Sequence, residues 1–451
     1  MDSITRKAAA FVAHFNGKTA PAEAREAARI GMLDCIGVML AGAREPAVGI
    51  AQHIVSPINA TNDAPAAVTG RHYSSQDAAL INGIAAHVLD FDDVALAGHP
   101  STVLVPAILA EGQSLHASGE DAIEAYLTGY EVWAHLDEAE PGHLHERGFH
   151  PTAVLGTLAC AAAAARLHRL SEEQTAHALA IAASLASGLV ANFGSMTKSL
   201  HAGRAAQSGI QAVRLAKAGY TGSLDALEHR TGFLRAISPS GTPDLSVEKF
   251  RIGEEILAGR YGVNIKQYPT CYATHRAIDA MLGLVKNEGI SPENVEKIHV
   301  KTGVTQKLML RNTQPQTGLA AKFSMEFAMA SALIAQRVGL AELTDEFVSR
   351  PDIQDAMKKV EVTVNEDRAD ADLPLAPFDL VWVSLKDGST REHPPVDYAK
   401  GSWQKPLDKQ ELKDKFMSCA TQAMSQPRAE ELFQSLWALE GIKDLRQISL
   451  T

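Results

Sequence analysis

Three short stretches of this chain concentrate side chains that move protons or hold anions. The first is Leu89-Asp90-Phe91-Asp92-Asp93, followed by Gly98-His99-Pro100-Ser101. The second is Gly148-Phe149-His150-Pro151-Thr152. The third runs from Asn192 to Gly203 and carries Lys198 and His201. The His-Pro-Ser/Thr pattern occurs in the first two, each time just before an apolar helical run. Proline is favoured at the first helical position because its missing N–H would be unpaired there anyway. His99 and His150 are therefore expected at or near helix caps. A helix start carries partial positive charge and free N–H donors, so it attracts carboxylates and depresses the pKa of a nearby histidine. A neutral imidazole beside a bound carboxylate is an acid–base catalyst near pH 7. Lys198 and His201 precede a predicted helix over about 202–217. Three basic helix starts make one anion pocket if they converge.

The same residues allow other chemistries. Asp90, Asp92 and Asp93 with His99 suggest a divalent metal and a metal-dependent hydrolase, but no Cys or Glu/His set at helical ligand spacing accompanies them, and no metal is expected. Alternatively, the aspartates cap a helix end or are solvated. Cys271 and His275 are four residues apart, which predicts one helix face and admits a cysteine nucleophile; the plainer reading is a helix pair that shapes a pocket. A helical protein that holds an anion without turning it over fits the basic helix starts as well, although the His–Asp–Lys mixture is richer in titratable groups than simple binding needs.

The formal charge of −11 argues against a nucleic-acid binder. The four cysteines, Cys35, Cys160, Cys271 and Cys419, form no CxxC pair. Such sparse thiols fit a reducing compartment, so a cytoplasmic location is expected. No signal peptide and no apolar run of membrane-spanning length are visible, and no membrane partner is expected.

The elements that must position these residues change character along the chain. Residues 1–15 read as an amphipathic helix. Pro21 opens a run to about residue 42 in which Ala24, Ala27, Ile30, Leu33, Ile36 and Leu40 recur at helical spacing. Ala-rich helical runs follow at 76–89, 101–117, 121–136, 151–168, 172–189 and 202–217, with small residues that let neighbouring axes approach. From about residue 262 strands alternate with helices. Val263–Gln267, Val295–Thr302, Val360–Asn365 and Leu380–Leu385 read as strands, Cys271–Glu288 and Phe323–Gln336 as helices, and Lys386-Asp387-Gly388 as a hairpin turn. Helix returns from about residue 407. The expected fold is mainly α: a large all-α domain built from residues 1–261 and 403–451, with a smaller α/β domain inserted at 262–402.

The succession DFDD…HPS, then FHP-T…GTLA, then TK-x-LH-x-G-x-AA resembles the MmgE/PrpD family over nearly the whole chain. That family includes 2-methylcitrate dehydratase, cis-aconitate decarboxylase and iminodisuccinate epimerase. The resemblance implies a helical domain made from both chain ends, an inserted α/β lid, a homodimer, and an active site between the domains that uses neither metal nor organic cofactor. Carried over by motif, Asp90, His99, His150, Lys198 and His201 belong to that site, and Lys266, in Ile265-Lys266-Gln267-Tyr268-Pro269, resembles the basic substrate-binding position of the lid. Cys271-Tyr272-Ala273-Thr274-His275 looks more like the epimerase branch. His145 falls where the epimerase carries a tyrosine proposed as a base. The decarboxylase and the dehydratases carry a tyrosine where this chain has Phe327. The expected reaction is removal of the proton α to a carboxylate in a small di- or tricarboxylic acid, with His150 as base, Asp90 orienting a neighbouring imidazole, and His99 or His145 as acid. A 2-methylcitrate-dehydratase-like hydro-lyase is the leading expectation; a dicarboxylate epimerase, a cis-aconitate-type decarboxylase and a non-catalytic anion binder are the alternatives.

Overall fold

The computed structural model describes residues 3–57, 67–140, 144–364 and 376–450. The chain forms two compact units, Met1–Asn264 with Asp408–Thr451, and Ile265–Leu407. Among the described residues no helix is long and apolar enough to cross a membrane.

The larger unit is helical. Its principal helices are α1 (Ile4–His14), α2 (Ala22–Gly42), α3 (Pro46–Ile54), α4 (Ser75–His87), α5 (Ser101–Ser114), α6 (Gly119–Glu138), α7 (Pro151–Leu167), α8 (Glu172–Leu185) and α9 (Thr197–Lys217). Helices Lys409–Ala420 and Gln426–Trp437 complete it, the first packing on α2. Local chemistry sets several starts. The Ser74 hydroxyl accepts the Asp77 N–H at the head of α4, and Ser118 with Asp121 forms a reciprocal cap on α6. Helices α4, α5, α7 and α9 pack on one another at the centre. Small residues permit this. A Cβ on Gly203 of α9 would lie 2.3 Å from the Leu80 carbonyl oxygen of α4, and one on Gly209 would lie 2.4 Å from Cys160 Cβ of α7. Axes this close bury the polar starts of α5 and α7, and Ser199 and His201 near the start of α9, as well as the apolar faces.

The smaller unit carries a four-stranded sheet of order β2-β1-β3-β4, with β1 Val295–Thr302, β2 Val360–Val364, β3 Leu380–Leu385 and β4 Thr390–Glu392. β1 runs parallel to β2 and antiparallel to β3, with Ile298 opposite both Val360 and Val383. Alternate residues Ile298, Val300, Val381, Val383 and Leu385 share one core with the helices His275–Asn287 and Met325–Ile334. The β3–β4 hairpin turns at Gly388, whose φ of +84° suits glycine. The mainly α fold with a small α/β portion therefore stands.

Three expectations need correction. Val263–Gln267 is not a strand: Gly262 sits at φ +55°, and only Asn264 pairs, in an isolated bridge with Val94. Cys271 precedes its helix. It has extended backbone, a short turn Tyr272–Thr274 follows, and the α-helix begins at His275, so Cys271 and His275 do not share a helix face. Helix α9 begins at Thr197, five residues early, which puts Lys198 and His201 inside its first turns. Asn365, the last residue of the predicted third strand, lies outside the described residues, as do residues 1 and 2 of the predicted first helix.

Candidate active site

The connection from α4 to α5 holds the first motif in a constrained shape. Asp90, Leu96 and Ala97 have φ of +54°, +50° and +55°, a region that non-glycine residues occupy at a cost. Several contacts enforce it. Val94 and Asn264 exchange both backbone hydrogen bonds, at 2.9 and 3.0 Å. Lys415 Nζ, from helix Lys409–Ala420, donates to the Phe91 carbonyl at 2.9 Å while pairing with Asp34 at 2.7 Å, and both side chains are almost wholly buried. Asp93 accepts the Ser101 hydroxyl at 2.7 Å, and that hydroxyl also meets Tyr126 at 2.7 Å. Burial, reinforced by Asp92 and Asp34 and opposed by the Ser101 hydrogen bonds, pushes the Asp93 carboxyl up to about 8. Asp93 is thus a neutral acid at pH 7 and links the loop to the start of α5.

Asp92, fully buried, bridges two imidazoles. His87 Nδ1 lies 2.9 Å and His99 Nδ1 3.0 Å from its Oδ2, and the same His99 nitrogen is 2.9 Å from the Asp93 carbonyl oxygen. Burial would raise the Asp92 carboxyl, but the two imidazoles outweigh it and hold Asp92 well below the usual carboxylate range. Burial brings His87 down to about 4 despite Asp92, so it is a neutral ring whose Nδ1–H donates to the carboxylate. The His87 and His99 rings meet edge to face at 4.6 Å, and His87 stacks toward His150 at 5.8 Å.

His150 caps α7, with its backbone N–H on the Gly188 carbonyl and its own carbonyl accepting from Ala153 and Val154. Its Nδ1 is 3.1 Å from His201 Nδ1, so one ring donates and the other accepts. Burial, then the neighbouring His87, Lys198, His99 and His201, press His150 well below the ordinary histidine value; burial and Lys198 lower His201. Both are neutral bases at pH 7. Phe193 closes edge-on over His150 at 4.8 Å, and Lys198 Nζ lies 5.3 Å from the centre of that phenyl ring. Lys198 donates to Asp90 Oδ1 at 2.6 Å. His145 is half-buried, with its ring 6.3 Å from that of His150.

The starts of α5, α7 and α9 therefore converge, and they bring together Asp90, His99, His145, His150, Lys198 and His201 within the helical unit. The carboxylate that bridges two rings is Asp92, whereas the orienting role had been expected of Asp90, which takes the lysine. His87 was missed in the sequence. It closes the Ala-rich run of α4 and reads there as part of a packed helix; the available signal was its spacing, five residues before Asp92, across a helix end. His87, His99 and His150 each present a ring nitrogen within 4.8 Å of the others, as do donor atoms of His87, Asp90 and Asp92, so these are the described residues with metal-holding geometry.

The remaining expected site residues lie in the smaller unit. Lys266 is 1% exposed. The buried His275 ring stands between two phenols, 5.1 Å from Tyr268 and 4.9 Å from Tyr272. Cys271 belongs to the apolar core of that unit, which fits a packing residue better than a nucleophile. Phe327 is fully buried, edge to face with Phe347 at 6.4 Å.

Residues 6–246 match the family model of the MmgE/PrpD N-terminal domain, and residues 268–439 match that of the MmgE/PrpD C-terminal domain. The chain is 30% identical over 389 residues to a cis-aconitate decarboxylase of Mus musculus, covering 81% of this chain and 76% of the relative. It is 30% identical over 388 residues to the enzyme of that name in Homo sapiens, covering 81% and 77%. It is 25% identical over 374 residues to one in Aspergillus terreus, covering 77% and 74%.

Proposed function

The chain belongs to the MmgE/PrpD family, and from that premise we propose that it is a lyase that transfers a proton at the carbon next to a carboxylate of a small di- or tricarboxylic acid. The observation that carries this reading is the cluster of imidazoles around His150, two of them tied to one buried, ionised aspartate, beside a lysine. A carbanion next to a carboxylate spreads its charge onto the carboxylate oxygens. Lys198, already aimed by Asp90, is the cation for that charge. His150 is the base: its low proton affinity keeps it unprotonated at pH 7. When His150 Nδ1–H donates to His201, the Nε2 lone pair is free for the substrate. His99 is the acid, its ring held by Asp92 Oδ2 at 3.0 Å from Nδ1. His145 stands beside His150 as the second candidate acid. Lys266 is proposed as a carboxylate-binding residue from the family resemblance, and its loss should mainly raise KM.

A base and an acid together serve a dehydration, in which the α-proton and a β-hydroxyl leave, so a hydro-lyase of the 2-methylcitrate type is the first reading. Decarboxylation of a cis-aconitate-like acid is the second, favoured by the names of the relatives. That reaction loses CO2 and then needs only a proton donor for the resulting carbanion. Phe327, which offers no phenol where both the decarboxylase and the dehydratases carry a tyrosine, weighs against both readings alike. Proton NMR of 2-methylcitrate, citrate and cis-aconitate incubated with the enzyme separates the two: loss of water from the first supports the hydro-lyase, and loss of CO2 from the last supports the decarboxylase. Inversion without loss of any group would replace both with an epimerase. If none of these acids, nor any related diacid, is altered, the lyase reading fails.

A further inference from the structure

The imidazole cluster contains an atom that the proposed reaction does not use. His87 Nε2 is buried and has no hydrogen-bond partner among the described residues. Leaving such an atom unsatisfied costs about 1–3 kcal/mol and calls for an explanation. His87 also lies in the three-imidazole group whose ring nitrogens sit within 4.8 Å of one another. In each of these rings Nδ1 is already engaged: His87 with Asp92 at 2.9 Å, His99 with Asp92 at 3.0 Å, and His150 with His201 at 3.1 Å. Those contacts leave Nε2 as the coordinating nitrogen of each ring, and for His87 it is the partnerless one.

We propose that His87, His99 and His150 form a binding site for a borderline-soft divalent cation, best met by Zn2+, and that filling it shuts the enzyme off. Three imidazole ligands select zinc, cobalt, nickel or copper over magnesium or calcium, which prefer oxygen. Zinc–nitrogen bonds of about 2.0–2.1 Å place tetrahedral ligands about 3.3 Å apart, so ring nitrogens within 4.8 Å of one another must draw together by up to about 1.5 Å. Their outer contacts suit that role. Metal-bound imidazoles characteristically give their other N–H to a carboxylate, carbonyl or similar acceptor, which fixes the tautomer. Asp92 does so for His87 and for His99, where the Asp93 carbonyl shares the contact. His201 serves His150 when the shared proton sits on His150 Nδ1. The ionised Asp92 favours a dication; Lys198, which opposes it, is paired with Asp90 at 2.6 Å. The bound ion occupies the lone pairs of His99 and His150, so proton transfer stops. Binding itself does not depend on which acid is the substrate, and it stands or falls separately from the reaction assigned above.

The test uses the full chain, stripped with a chelator and dialysed. Zinc is titrated calorimetrically, cobalt is followed by visible absorption, and the zinc-loaded protein is examined by X-ray absorption. We expect one equivalent bound, the intense cobalt bands of a four-coordinate site, and scattering from three imidazoles. His87→Ala should weaken zinc by about 100-fold or more, and Asp92→Asn by about 10–100-fold. Activity should fall as free zinc is raised at fixed buffered concentrations and return on chelation. The proposal is overturned by no stoichiometric binding, by thiolate bands in the cobalt spectrum, or by unchanged affinity in His87→Ala. Should that variant fail to fold, fewer than two imidazoles in the X-ray absorption of the wild type overturn it as well.

Discussion

At Asp92 a single buried carboxylate serves two imidazoles, and this sharing sets the roles of the residues around it. Replacing Asp92 with Asn keeps the shape but removes the charge that faces both His87 and His99. Activity should fall, with KM changed less than kcat; an unaltered kcat would remove His99 from the acid role. His150→Ala should lower kcat/KM by about 10²–10⁴ while the circular dichroism spectrum stays that of the wild type. Lys198→Ala should act on substrate affinity and on the developing charge together, so both kinetic parameters should worsen. Much of this residue set was visible in three sequence motifs, because a His-Pro step and a Lys-x-x-His step announce helix starts whose side chains face the same way. The bridging role of Asp92 and the presence of His87 were not visible. They depend on a left-handed turn at Asp90 that folds the segment back under α4, which no local spacing encodes.

Among the elements, the α4–α5 connection is the one on which the site depends. It is held in place from a sequence-distant helix: Lys415 reaches the Phe91 carbonyl at 2.9 Å and is neutralised by Asp34 at 2.7 Å. Lys415→Met leaves Asp34 buried without its cation, a loss of about 3–5 kcal/mol by analogy with other broken buried pairs. Thermal or denaturant unfolding measures it, and a change below about 1 kcal/mol would mean that the loop is supported otherwise. The helix runs and three of the strands were legible, because period 3.6 and period 2 survive wherever one face is buried. Residues 197–201 were not, because a stretch of Thr, Lys, Ser and His at a helix start carries no apolar period. Val263–Gln267 had the composition of a strand but found no neighbouring edge beyond a single bridge.

For the whole molecule, the buried titratable groups predict how stability varies with pH. The folded-state pKa of His87 is depressed to about 4 from an ordinary value of about 6.5, so its contribution is present above 6.5 and is lost as pH falls toward 4. His150 and His201 act in the same direction. Asp93 acts oppositely: raised to about 8, it contributes most at low pH and loses that contribution as pH rises through 8. The melting temperature should therefore peak near pH 6.5 and decline on both sides. Asp93→Asn, which mimics the neutral carboxyl, should flatten the alkaline decline and steepen the acid one, because the Asp93 contribution falls over the whole window from about 3.8 to about 8; an unchanged alkaline limb would show that Asp93 is ionised in the folded protein. The mainly helical fold class with a small α/β portion was readable from the change of texture near residue 262 and the return to helix near residue 407.

Incorporation of solvent deuterium at the carbon next to a carboxylate, followed by proton NMR in D2O, tests most directly whether these imidazoles move that proton. The wild-type enzyme should exchange the α-hydrogen of its substrate even where no net product accumulates, and His150→Ala, folded and able to bind, should not. Exchange at the wild-type rate in His150→Ala, or its absence from a wild-type enzyme that turns over a substrate bearing that hydrogen, would contradict the account.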